Sequence, residues 1–113
     1  GLSNMLIDKF RADGKIALVS GGTRGIGLGI ARALLEVGAT VVISSRKESG
    51  AVDTLSKWGP KVEFRSSDMM DPVAPKALIY GIVADHGRLD ILVKNVSQTL
   101  AQRKILTMTA MTD

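Results

Sequence analysis

The 113-residue sequence contains no cysteine, which excludes disulfide bonds, thiolate metal sites and a cysteine nucleophile. Its single histidine, His86, cannot form a histidine metal cluster. The net charge is +4, but the cationic residues are scattered and only four residues are aromatic, so we expect no nucleic-acid partner. No apolar run approaches the roughly 18 residues of a membrane span, and residues 1–10 lack the features of a signal peptide. We therefore expect a cytoplasmic protein without a membrane partner.

Short apolar runs alternate with helical patterns along the chain. Four runs are predicted as strands, and most are nearly continuous, as strands buried on both faces are. They are residues 15–20, 40–45, 61–66 and 89–94. Helices are predicted at about 25–37 and 51–58, and from a start near Asp71 to a stop at Gly87. In the first helix, the stripe expected to face the core is Ile26, Ile30, Ala33, Leu34 and Val37.

This alternation predicts an α/β fold, a Rossmann-like doubly wound parallel sheet with strand order 3-2-1-4 that is truncated after the fourth strand. The length favours one domain. We therefore expect a single, partial dinucleotide-binding domain over residues 1–113, with residues 97–113 as a tail or loop. A sheet that ended at the fourth strand would leave an open edge, through which we expect self-association or binding of a partner.

The stretch "LVSGGTRGIGLGIA" contains five glycines and lies between the first strand and the first helix. The exposed N–H groups of a helix N-terminus form an anion site there. Gly21 suits the tight turn, Gly25 a close approach of the backbone, and Gly27 and Gly29 the packing of the helix. Phosphate or dinucleotide binding is predicted over a merely tight turn. No Gly-Lys-Ser/Thr follows, which disfavours a Walker-type site.

The Gly-x-x-x-Gly-x-Gly spacing resembles the fingerprint of the classical short-chain dehydrogenase/reductase family. The segments "VVISSRK", "SSDMMD" and "GRLDILVKN" resemble later motifs of that family in order and spacing. The resemblance implies that the cofactor-binding residues of the first turn include Thr23, and that the pyrophosphate is lined by Gly21, Gly25, Ile26 and Gly27. It also implies that Asp68 with Met69 meets the adenine and that Asn95 flanks the adenosine ribose. Alternatively, Asp68 forms a turn and Asn95 caps a strand end.

The end of the second strand indicates the cofactor. An NAD site usually places an acid there, but this sequence has Ser44, Ser45, Arg46 and Lys47. Hydroxyls and cations suit a 2′-phosphate, on which Arg24 closes from the glycine turn, so NADP(H) is favoured over NAD(H). The alternative is that Arg46 and Lys47 are only a solvated pair in a loop.

Family members transfer hydride by means of a Ser and a Tyr-x-x-x-Lys that lie well beyond the fourth strand, and the resemblance implies that these residues fall outside a sequence that stops at Asp113. The only tyrosine, Tyr80, has no lysine four positions on and is expected to be structural, on a core-facing helix. Lys94, Val96 and Ser97 also depart from the family's Asn-Asn-Ala-Gly motif. The resemblance thus implies an NADP(H)-dependent oxidoreductase of the carbonyl reductase or alcohol dehydrogenase type, present as a cofactor-binding fragment without catalytic or metal-binding residues. The alternative is a non-catalytic dinucleotide-binding or protein-interaction module, such as a truncated or splice-variant paralogue.

Overall fold

The computed structural model describes residues 11–98 and 103–110, which form one five-stranded sheet and three helices. The strands are β1 (Ile16–Ser20), β2 (Thr40–Ser45), β3 (Val62–Ser66), β4 (Ile91–Gln98) and β5 (Arg103–Ala110). The helices are α1 (Gly25–Glu36), α2 (Ala51–Leu55) and α3 (Ala74–His86). The spatial order of the strands is β3-β2-β1-β4-β5, and the first four are parallel. The predicted Rossmann-like order 3-2-1-4 is therefore confirmed.

The fifth strand differs from the prediction of a tail or loop at residues 97–113. β5 pairs antiparallel with β4 in a ladder that runs from Ile91↔Ala110 to Gln98↔Arg103. Only four residues separate the two strands along the chain, a spacing that allows an antiparallel hairpin but not a parallel crossover. The segment "RKILTMTA" is rich in β-branched and aliphatic residues, which favours a strand.

The predicted open edge at the fourth strand is also corrected by this ladder. β4 pairs with β1 on one side and with β5 on the other, so both of its edges are occupied. The physical reason is that a local strand satisfies the backbone N–H and C=O groups of β4 that a sheet truncated there would leave unpaired. Within the described residues, the outermost strands of the sheet are β3 and β5.

The core consists of two layers, one on each face of the sheet. One layer joins α1 and α2 to the sheet through Val19, Ile43, Leu35 and Leu55. The other joins α3 to the sheet around Ile82. A parallel sheet covered on both faces in this way explains the continuous apolar runs of β1 and β2.

The predicted core stripe of α1 is only partly confirmed, because Ile30 and Leu34 pack against the core but the most buried positions are different. The fully buried positions are Gly27, Ala31 and Leu35, whereas Ile26 is 55% exposed. One residue rotates the face of a helix by about 100°. The small side chains of Gly27 and Ala31 let the helix approach the sheet closely, so packing overrides the larger apolar side chains. Tyr80 likewise does not face the core, because it is 64% exposed on α3.

A buried carboxylate joins the beginnings of β1 and β4. Asp90 is 3% exposed, and its Oδ2 accepts a hydrogen bond from the Ile16 N–H at 2.8 Å while its Oδ1 accepts one from Arg88 Nε at 2.8 Å. Burial acts to raise the pKa of Asp90, but the hydrogen bonds from Arg88 and Ile16 and the charges of Arg88 and Lys15 together hold this pKa below its usual value. The ionised carboxylate therefore stabilises the fold.

Asp90→Ala is expected to lower the free energy of unfolding at neutral pH by about 1.5–3 kcal/mol, because the Ile16 N–H is left buried without its charged acceptor. Since the folded-state pKa is lowered, this stabilisation is present above the usual Asp pKa of about 3.9 and is lost as pH falls through the folded value. Denaturant unfolding across that range measures it, with the exposed Asp53→Ala as the control. A pH-independent difference between Asp90→Ala and the parent chain contradicts the assignment.

Candidate functional site

The turn after β1 requires glycine at its first position. Gly21 has a φ of +73°, and its N–H donates to the Ser44 carbonyl at 2.7 Å. A Cβ at Gly21 would lie 2.6 Å from the carbonyl oxygen of Asn95. Gly21 is therefore packed between the ends of β2 and β4, and the backbone has no room for a side chain there.

Gly27 holds α1 against the same turn. A Cβ at Gly27 would lie 2.1 Å from the Gly21 carbonyl oxygen, so the helix can approach the turn only with glycine at this position. Gly25, the first residue of α1, has a φ of +61°, which glycine adopts without strain. Gly29 differs, since a Cβ there would meet nothing within 4 Å. The suggested packing role of Gly29 is therefore wrong.

The N-terminus of α1 points its backbone donors toward the turn. The first bond of the helix runs from the Leu28 N–H to the Arg24 carbonyl, at 3.3 Å. The N–H groups of Gly25, Ile26 and Gly27 precede it and have no partner within the helix. Within the described residues, no side chain caps α1 and no acidic residue lies in its first turn. An anion placed here would meet unopposed N–H dipoles.

A cleft of about 610 Å³ opens at the carboxyl ends of β1, β2 and β4. It gathers predicted site residues from three separate segments of the chain. The lining residues are Gly21, Thr23, Arg24, Ser45, Arg46, Lys47, Ser49 and Asn95. Among them only Ser49 was not predicted from the sequence, and its one local signal is its place in a Ser-Gly pair that one residue separates from Arg46 and Lys47. Gly25, Ile26 and Gly27 lie at the start of α1 beside this cleft.

The loop after β3 approaches the site from another side. Met69 lies over the end of β1, where its Sδ accepts a hydrogen bond from Ser20 Oγ at 2.9 Å. Asp68 is exposed, and its Oδ1 accepts from the Met70 N–H at 2.9 Å, which is the geometry of the turn-forming alternative. Asp68 lines a second groove, of about 480 Å³, beside α3. The structure therefore places Met69 over the carboxyl end of β1 and Asp68 in a groove apart from the first cleft.

Positive charge dominates the cleft. Arg24, Arg46 and Lys47 are exposed along it, and no acidic residue is among the described residues that line it. The acid closest along the chain to the end of β2 is Glu48, whose carboxylate accepts hydrogen bonds from the N–H groups of Gly50 and Val52 at 2.9 and 2.6 Å. Glu48 thus fixes the turn into α2, and the cleft keeps its positive potential.

Asn95 joins the end of β4 to the glycine turn. Its Nδ2 donates a long hydrogen bond of 3.4 Å to the Gly21 carbonyl. Its Oδ1 is buried and has no partner among the described residues. A buried amide oxygen without a donor is costly, so Asn95 is suited to accept a hydrogen bond from a ligand hydroxyl in this cleft.

No helix in the described residues has both the length and the apolar character needed to cross a membrane.

Comparison with known proteins identifies relatives over most of the chain. A family model described as short chain dehydrogenase matches residues 15–112. An uncharacterized oxidoreductase of Mycobacterium tuberculosis is 34% identical over 108 residues, which cover 93% of this chain and 41% of that protein. The chain therefore spans about two fifths of the length of that curated relative.

Solved structures show the same similarity. The RhlG/NADP active-site complex of Pseudomonas aeruginosa superposes with a TM-score of 0.74 at 36% identity, over 83% of this chain and 39% of that one. The 3-oxoacyl-[acyl-carrier protein] reductase of Brucella melitensis in complex with NAD has a TM-score of 0.68 at 38% identity, over 74% of this chain and 34% of that one. The glycine turn, the order of the strands and these matches together show that the chain belongs to the short-chain dehydrogenase family.

Proposed function

We propose that the chain binds NADP(H) in preference to NAD(H), and that it is the cofactor-binding portion of an NADP(H)-dependent oxidoreductase of the carbonyl reductase or alcohol dehydrogenase type. The observation that carries the proposal is the cleft at the end of β2, whose described lining residues include three cations and no acid. A 2′-hydroxyl needs an acceptor there, whereas a 2′-phosphate needs positive charge. The two solved relatives carry NADP in one case and NAD in the other, so the preference rests on this chain's own residues.

The pyrophosphate, the 2′-phosphate and the adenosine ribose each have a matching element in or beside the cleft. The N–H groups at the start of α1 and the close turn at Gly21 suit the pyrophosphate. Arg24 from the glycine turn and Arg46 from the end of β2 both line the cleft and, together with Lys47, suit the 2′-phosphate. Asn95 suits the adenosine ribose, whereas the loop of Asp68 and Met69, which the resemblance assigns to the adenine, is not among the residues that line this cleft. When bound, the nicotinamide group supplies the hydride chemistry, while these residues bind and orient the dinucleotide.

Arg46→Ala is expected to weaken NADPH binding by about tenfold to a hundredfold and to leave NADH binding nearly unchanged, because one charge-assisted contact to the phosphate is worth about 1.5–3 kcal/mol. Isothermal titration calorimetry with both dinucleotides measures the two affinities. The control is Lys57→Ala, which removes the same charge from an exposed site outside the cleft. Equal affinities of the parent chain for NADPH and NADH would contradict the proposal.

We also propose that the chain self-associates, through the outer edge of β5 rather than through β4. Among the described strands, β5 pairs only with β4, so one row of its backbone N–H and C=O groups is available for another strand. Sedimentation velocity at micromolar concentrations is expected to show a concentration-dependent dimer or larger species. A single monomeric species over the whole concentration range contradicts this expectation.

A further inference from the structure

We infer that Ser49, and not Ser45, provides the hydroxyl donor that selects the 2′-phosphate of NADP(H). Both side chains line the basic cleft beside Arg46 and Lys47. The inference rests on the proposed function and names a residue of the same site that sequence reasoning overlooked.

The hydroxyl proton of Ser45 is already committed. Ser45 Oγ donates to the carbonyl oxygen of Lys47 at 2.5 Å, a bond that fixes the turn after β2. A hydroxyl has one proton to donate, and its two lone pairs only accept. A phosphate dianion is itself an acceptor, so Ser45 in this arrangement presents lone pairs to the ligand and no donor. Its contribution is to hold the turn in shape.

Ser49 has the opposite character. Its side chain is exposed in the cleft, and its hydroxyl has no hydrogen-bond partner among the described residues. Its proton is therefore available to an anion. Arg46 and Lys47 would share the phosphate charge, and Ser49 would add a directed O–H donor at the same wall of the cleft.

The backbone holds Ser49 in this position at some cost. Ser49 has a φ of +57°, and it is the only non-glycine residue with positive φ among the described residues. The neighbours on both sides fix this conformation, because the Glu48 carboxylate accepts from the Gly50 and Val52 N–H groups and the Glu48 carbonyl accepts from the Ala51 N–H at 3.1 Å. A left-handed serine costs free energy that glycine at this position would avoid. A role for the hydroxyl accounts for serine at this position.

Three substitutions at one position separate the donor from the conformation. Ser49→Gly keeps the left-handed backbone and removes the donor, and we expect NADPH binding to weaken about fivefold to tenfold with NADH binding unchanged. Ser49→Asn tolerates positive φ and restores an N–H donor, so its NADPH affinity is expected to stay close to that of the parent chain. Ser49→Asp introduces a like charge, and we expect it to weaken NADPH binding more than Ser49→Gly does.

Calorimetric titration of the 113-residue chain with NADPH and NADH, alongside thermal unfolding of each variant, tests the inference. Ser49→Gly is expected to unfold at the same or a higher temperature than the parent chain, so a loss of NADPH affinity cannot come from a damaged fold. If the parent chain prefers NADPH and Arg46→Ala abolishes that preference while Ser49→Gly leaves it intact, this inference fails and the proposed function stands. If the parent chain binds NADPH and NADH equally well, the proposed function fails, and the inference that rests on it fails as well. A loss in Ser49→Gly that Ser49→Asn does not restore also overturns the donor role.

Discussion

Gly27→Ala is expected to lower the free energy of unfolding by about 3 kcal/mol, the upper end of the usual range for overpacking, and to abolish binding of NADPH. The added methyl group would lie 2.1 Å from the carbonyl oxygen of Gly21. That oxygen belongs to the backbone of a turn packed between β2 and β4, so it cannot rotate away as a flexible side chain would. The helix must therefore move from the turn, and its N-terminal N–H groups move with it.

Gly29→Ala provides a matched control in the same helix. Gly29 is exposed, and its added methyl group would meet nothing within 4 Å. Alanine in place of glycine at an exposed helical position stabilises by about 0.5–1 kcal/mol, so this variant is expected to be more stable than the parent chain. Denaturant unfolding and NADPH calorimetry on the pair test both expectations. Equal effects of the two substitutions would show that the contact between α1 and the turn is not what requires glycine at residue 27.

The 113-residue polypeptide is expected to bind NADPH without oxidising it in the presence of carbonyl compounds. Its only tyrosine, Tyr80, is 64% exposed on α3, is followed four positions on by Ala84, and does not line the cleft. A positioned general acid contributes about a hundredfold to ten-thousandfold to such a reaction, and no tyrosine is among the described residues that line the cleft.

Spectrophotometric assay of NADPH across a panel of ketones and aldehydes measures this outcome with mass-verified protein. Lys76 Nζ lies 5.6 Å from the centre of the Tyr80 ring, so Tyr80→Phe and Lys76→Ala are the informative variants. We expect both to behave as the parent chain does, at the background rate. Protein-dependent turnover would place the chemistry within these residues, and its loss in Tyr80→Phe would assign it to α3.

The sequence predicted the parts of the fold that depend on local pattern. The four parallel strands follow from short apolar runs, and the position of Gly21 and Gly27 follows from spacing that only a strand–turn–helix unit requires. The buried face of α1 could not be predicted in the same way, because close packing of Gly27 and Ala31 prevailed over the more apolar Ile26.

Contacts that join distant segments could not be predicted from the sequence either. The carboxylate of Asp90 accepts a hydrogen bond from the Ile16 N–H, 74 residues away, and no periodic pattern of residue types predicts such a bond. The difference between Ser45 and Ser49 depends on which hydroxyl donates to a backbone carbonyl, a matter of rotamer and turn geometry. Residue types at the end of β2 therefore predict the charge of the cleft but not which of its hydroxyls is available.

The β4–β5 ladder has a consequence for the order in which the sheet assembles. Its paired residues are between 5 and 19 positions apart along the chain, whereas β1 and β4 pair residues 74 positions apart. Hairpins form within about 1–10 μs, and pairings between distant segments form more slowly because the chain must first close a long loop. We expect β4 to reach β1 with its other edge already paired. During folding, the backbone of β4 is then shielded from the strands of neighbouring chains before the parallel sheet is complete.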